Sequence, residues 1–132
     1  MSEPAGAASP RELAGVVVCH GRLAPALADA VAQISGVTGA LVPVTNTDCD
    51  RGLLGDRIAA AVGEGPALVF VDMAAGSCML AALARLRDRS DVKVVTGVNL
   101  AMLVDFVFHR HLDAGSAAER ASAIGQRAIK VP

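Results

Sequence analysis

The chain alternates between short unbroken apolar runs and stretches whose apolar positions recur every three or four residues. Leu13 to Cys19 is the first such run, rich in valine, and reads as a buried strand. Leu23, Leu27, Val31 and Ile34 follow at helical spacing, and Gly36 stops that helix. Ala40 to Val44 is a second strand, followed by a polar, turn-like stretch from Thr45 to Asp50. Leu54, Ile58, Ala61 and Val62 form a helical stripe, closed by Gly63-Glu64-Gly65-Pro66. Ala67 to Val71 is a third strand ending in Asp72, and a helix opens at Gly76-Ser77 and runs to about Arg87. Asp91 to Val95 is a fourth strand ending in Thr96-Gly97. Asn99 is a good N-cap for a helix carrying Met102, Leu103, Phe106 and Val107. Ser116-Ala117-Ala118-Glu119 fits a capping box and places the start of the last helix there. Ile129-Lys130-Val131 is a short terminal strand.

Strands that alternate with helices call for a mostly parallel sheet covered on both faces, a three-layer, doubly wound α/β fold. The strands are continuous apolar runs rather than alternating ones, as burial on both faces requires. Residues 13–132 read as one domain, preceded by a disordered tail over residues 1–12. That tail has neither a basic nor an apolar segment of the kind that makes a signal peptide.

Composition narrows the function classes. With 132 residues and 53% hydrophobic content, the chain can bury a core without disulfides or metals. Aromatics are 2%, with no Trp or Tyr, which removes the stacking platforms of single-strand nucleic-acid binders. A formal net charge of -1 gives no electrostatic reason to bind nucleic acid or anionic lipid. Ala67 to Leu86 is the most apolar long window, but Asp72 and Arg85 interrupt it, so no membrane insertion is expected. Three cysteines without a CxxC spacing fit a reducing, cytoplasmic compartment.

Three strands end in polar or small residues: His20, Asp72 and Thr96-Gly97. In a parallel sheet these ends share one edge, where ligands and chemistry collect. A carboxylate beside a histidine sets its tautomer and orientation. Gly76-Ser77 at a helix start offers backbone N–H groups and a hydroxyl, which suits an anion. Together these suggest phosphoryl chemistry on the imidazole. On spacing alone, His20 reads equally well as a structural histidine at a strand end, Asp72 as a helix cap, and Ser77 as an N-cap.

Three stretches carry a resemblance. Gly15-Val16-Val17-Val18-Cys19-His20-Gly21-Arg22-Leu23-Ala24 resembles the first strand and phosphorylation motif of mannose-type enzyme IIA components of the bacterial phosphoenolpyruvate-dependent sugar phosphotransferase system. Val69-Phe70-Val71-Asp72, then Gly76-Ser77 and Ala81-Ala82, is similar to the family's third strand, aspartate, glycine-serine turn and helix. Val94 to Leu103 is similar to its Thr-Gly-Val-Asn stretch. The resemblance implies that His20 accepts a phosphoryl group on Nε2 from HPr and passes it to a IIB component. It implies that Asp72 holds Nδ1, that Gly76, Ser77 and Thr96 line the phosphoryl site, and that no cofactor or metal is needed. It also implies a homodimer whose final strand, Ile129 to Val131, is exchanged as an antiparallel edge strand.

The chain departs from the family in Asp72-Met73-Ala74-Ala75-Gly76-Ser77-Cys78, where Ala75 replaces a glycine, and in Ala101, which replaces a proline. If the replaced glycine served a positive φ, Ala75 reshapes the loop. Two functions follow: a carrier that feeds sugar uptake, or a regulatory module whose phosphorylation state controls a protein partner. Cys19, His20, Cys49, Asp72 and Cys78 share the same edge of the expected sheet, but no short-range ligand pair supports a metal there. Cys19 and His20 are adjacent on a strand and point to opposite faces. His109 and His111 sit favourably at a helix C-terminus, and Arg85, Arg87 and Arg89 read as a solvated face.

Overall fold

The computed structural model describes residues 12–132, so the tail expected over residues 1–12 lies, apart from Glu12, outside the described residues. In chain order the elements are β1 (Ala14–Cys19), α1 (Leu23–Ser35), β2 (Leu41–Thr45), α2 (Arg51–Val62), β3 (Ala67–Val71), α3 (Ser77–Leu86), β4 (Val92–Thr96), α4 (Leu100–Phe106) and α5 (Ala114–Arg127). The strands form one parallel sheet in the order β2-β1-β3-β4. The chain leaves β1 for β2 on one side and returns across it to β3. The β1/β3 boundary is therefore the point where the strand order reverses, the place where open α/β sheets hold their sites.

Side-chain parity splits the core in two. Val17, Cys19, Leu68 and Phe70 pack with Met102, Leu103, Phe106 and Ala117 under α1, α4 and α5. Val16, Val18, Val69 and Val71 pack with Leu54, Ile58, Cys78, Ala81 and Ala82 under α2 and α3. Every residue of β3 is buried, which is why that strand shows no polar alternation. Phe70 and Phe106 meet edge to face at 5.0 Å. Gly15 lets this layer close: a Cβ there would stand 2.5 Å from Phe106 Cε2.

Several boundaries move. The last helix starts two residues before the expected capping box, because Asp113 is the N-cap: its carboxylate accepts from the Ser116 amide, and the Ser116 hydroxyl donates back to it. Asn99 caps α4 as expected, accepting from the Met102 amide. Its Nδ2 also donates to the Gly125 carbonyl, tying α4 to α5. Arg89 is no part of a solvated face. Its guanidinium donates to the carbonyls of Gly63, Glu64 and Gly65 and to Asp91, clamping the loop ahead of β3. The terminal strand expected at Ile129 to Val131 is unpaired in the single chain: Ile129 is 79% and Val131 98% exposed.

Candidate functional site

Val18 is in register with Val71, so His20 and Asp72 leave neighbouring strands at nearly the same level. His20 continues the parity of Val16 and Val18 and faces the α3 side, whereas Cys19 is buried in the opposite layer. Gly21, at φ +58, turns the chain directly after it. One carboxylate oxygen, Asp72 Oδ2, accepts two bonds from the same residue: the His20 backbone N–H at 2.9 Å and the ring at Nδ1, 2.8 Å away. An ionised carboxylate only accepts, so Nδ1 carries the proton and Nε2 keeps its lone pair. His20 is exposed, while the Asp72 side chain is 10% exposed. Burial pulls the Asp72 pKa up, but the two His20 hydrogen bonds and the imidazole charge outweigh it and leave the carboxyl below its usual range.

Nε2 faces the start of α3. Gly76 is the N-cap, at φ +101, and a Cβ there would stand 3.9 Å from Nε2. Ser77 is thus the first helical residue rather than the cap, and it is exposed. The first amides of α3 have no partner within the helix, so positive potential lies beside Nε2. Asp72 does not cap this helix; it is committed to His20. Ala75 is not among the residues with positive φ, so the glycine-to-alanine change carries no backbone strain; Gly76 takes the left-handed position instead.

Thr96 pairs with Val71, one strand farther from His20, and lines the groove between β4 and α5. It does not join the His20–Asp72 pair. Three groups outside the expected set support the loop after His20. Thr45 Oγ1 donates to the Gly21 carbonyl at 2.7 Å, and Asn46 Oδ1 accepts from the Gly21 amide at 3.2 Å. Arg57 in turn donates to the carbonyls of Thr45 and Thr47. The signal for Thr45 and Asn46 was the polar run that ends the second strand at the same edge of the sheet; Arg57, inside α2, gave none. Cys78 Sγ lies 3.8 Å from His20 Nδ1. Burial first, and then the Asp72 charge, pushes its thiol up to about 11 and that of Cys19 up to about 12, so neither is a nucleophile at neutral pH.

A parallel α/β domain with a carboxylate-anchored histidine at a helix N-terminus can hold an anion beside the imidazole. Residues 14–124 match the family of the PTS system fructose IIA component, and the chain belongs to that family. Its fold is similar to the mannose/sorbose specific IIA subunit of the phosphotransferase system from Enterococcus faecalis, at a TM-score of 0.77 and 23% identity, covering 92% of this chain and 96% of that one. It is also similar to the phosphotransferase system component EIIA from Streptococcus agalactiae, at 0.83 and 18%, covering 90% and 96%. A sigma-54 interaction domain protein from Enterococcus faecalis shares the fold at 0.70 and 10%, covering 92% and 95%. None of the curated proteins matches the chain in sequence. No helix among the described residues is long and apolar enough to cross a membrane.

Proposed function

We propose that this IIA-family chain is a phosphohistidine carrier of the cytoplasm, taking a phosphoryl group from HPr onto His20 Nε2 and passing it to a IIB component. One observation carries the reading: Nδ1 is held by Asp72, which leaves the Nε2 lone pair directed at the amides that open α3. In the first transfer the donor's P–N bond breaks as the bond from phosphorus to Nε2 forms. The donor imidazole leaves with the electron pair of the broken bond. The phosphoryl oxygens meet the Gly76 and Ser77 end of α3, and the Asp72 carboxylate balances the imidazolium that forms. The second transfer runs the same steps towards IIB. Exchange of one phosphoramidate for another needs in-line placement and charge stabilisation more than a strong base. No step in this scheme calls on a metal or a diffusible cofactor.

The reading includes a homodimer. Strand β4 is an open edge, which proteins seldom leave bare. The exposed Ile129 and Val131 follow α5, and a groove of about 720 Å³ runs between α5 and β4. Exchange of residues 129–131 between subunits covers both. A second reading, a regulatory module rather than a transport subunit, is favoured by the shared fold with the sigma-54 interaction domain protein.

Incubation with enzyme I, HPr and phosphoenolpyruvate tests the reading. We expect an acid-labile, base-stable gain of one phosphate by intact mass, absent in His20→Ala. No phosphate on the folded protein with a cognate HPr overturns it. Transfer onward to a IIB domain separates carrier from regulator.

A further inference from the structure

Cys78 touches the site but has no part in phosphoryl transfer. One donor atom from each of His20, Asp72 and Cys78 lies within 4.8 Å of the other two. They are an imidazole nitrogen, a carboxylate oxygen and a thiol sulfur, brought together from the ends of β1 and β3 and the first turn of α3. The Nδ1 to Sγ separation is 3.8 Å. With zinc bonds of about 2.0 Å to nitrogen and about 2.3 Å to sulfur, a tetrahedral site needs roughly 3.5 Å between those atoms.

A second observation points the same way. The Asp72 side chain is nine-tenths buried, and its Oδ1 is buried with no hydrogen-bond partner among the described residues. A buried oxygen without a partner carries an uncompensated desolvation penalty, and most buried polar atoms are paired. This oxygen is available without breaking the bond from the His20 amide to Oδ2. A thiolate and a carboxylate together neutralise a doubly charged cation, and the mixed nitrogen, oxygen and sulfur set suits zinc rather than magnesium or calcium. The imidazole is 43% exposed, which puts the cluster within reach of solvent.

We propose that His20, Asp72 and Cys78 bind one Zn²⁺ with a fourth position open to water, and that the bound ion shuts off phosphoryl acceptance. The second half rests on the carrier reading; the first does not. Coordination uses the Nδ1 lone pair. The ring proton therefore moves from Nδ1 to Nε2 by exchange with solvent, and the Cys78 thiol proton is released. Nε2 then has no lone pair to offer phosphorus. The zinc-bound and phosphorylatable forms are two tautomers of one histidine.

The experiment uses the full chain, reduced with a phosphine and stripped with a chelator. Zn²⁺ is titrated in competition with a chromophoric chelator, and Co²⁺ is added as a spectroscopic probe. We expect one equivalent per chain and a thiolate-to-cobalt charge-transfer band in the near ultraviolet. Cys78→Ala is expected to lose the band and bind Zn²⁺ at least about 100-fold more weakly, since loss of a mere supporting partner already costs ~10–100-fold. Cys49→Ser is expected to keep both. A wild-type protein without the band, or a band that survives Cys78→Ala, overturns the site. Imidazole ¹⁵N spectra of the wild type give a reading independent of any variant: Zn²⁺ must shift Nδ1 as a ligand and leave Nε2 protonated, and unchanged spectra overturn the site as well.

In the enzyme I and HPr assay, Zn²⁺ at about ten times its Kd leaves only about a tenth of the chain unbound and is expected to slow wild-type phosphorylation roughly tenfold relative to chelator. The same ratio for Cys78→Ala returns towards one. Equal inhibition of both proteins overturns the switch. Absence of phosphate on both proteins in chelator defeats the carrier reading instead, while the cobalt band still decides the metal site.

Discussion

Asp72 spends one oxygen on two N–H groups of a single residue, and that fixes His20 in position and in tautomer. Asp72→Asn can keep an amide oxygen where Oδ2 accepts both N–H groups, but it removes the negative charge that balances the imidazolium of the phosphorylated ring. Phosphorylation is then expected to fall by about 100-fold or more, by analogy with the loss when a triad aspartate becomes asparagine. Imidazole ¹⁵N shifts report the tautomer, and an unaltered phosphorylation rate excludes the role given to Asp72.

The same carboxylate, with Asp105, sets part of the acid limb of stability. The Arg120 hydrogen bonds hold Asp105 below its usual range against the opposing effect of burial. Both folded pKa values lie below the unfolded value of about 3.9. Their stabilisation is therefore complete above that value and is lost as pH falls through the folded values, where the unfolded chain binds more protons. In urea titrations, Asp72→Asn and Asp105→Asn are expected to differ most from the wild type above about pH 4 and to converge on it in stronger acid. A gap that widens on acidification reverses the assignment.

At the scale of elements, the layer under α1, α4 and α5 depends on how closely those helices approach the sheet. Gly15→Ala drives a methyl into the Phe106 ring and the Leu41 side chain. The expected cost is about 1–3 kcal/mol, read from the denaturant midpoint with the m-value unchanged. Asn99→Ala removes the α4 cap and one of the two bonds accepted by the Gly125 carbonyl, and is expected to cost about 1–2 kcal/mol. Its thermal unfolding is the direct check, and a loss within error removes Asn99 as the tie between the two helices. Gly76 makes the complementary demand at the site itself, where only a residue tolerant of positive φ lets α3 begin beside Nε2.

At the scale of the whole molecule, an open β4 edge and an exposed C-terminal segment answer one another. A chain ending at Arg127 keeps all nine elements of the described residues and is expected to sediment as a monomer, and the full chain is expected to sediment as a dimer. Truncation that leaves the dimer intact locates the interface elsewhere. Sedimentation velocity over a dilution series distinguishes the two.

Much of this was legible along the chain. Buried parallel strands must be unbroken apolar runs, and amphipathic helices must repeat at their own period, so strand order in sequence and the polar residues closing each strand could be read without coordinates. Apart from the short terminal strand at Ile129 to Val131, the elements lie where periodicity placed them, and their ends shifted where a local bond outcompeted a motif, as Asp113 did Ser116. Tertiary structure alone decided the pairings. That β1 lies beside β3 puts His20 on Asp72 and leaves Thr96 a strand away. That Gly76 caps α3 at positive φ brings Cys78 against the imidazole and takes the strain off Ala75. Arg89 turned from an exposed charge into a loop clamp only when distant carbonyls converged on it. The physical reason is common to all of these. Apolar pattern is set by neighbours in sequence, whereas hydrogen-bond partners are chosen by which strand ends the fold brings level.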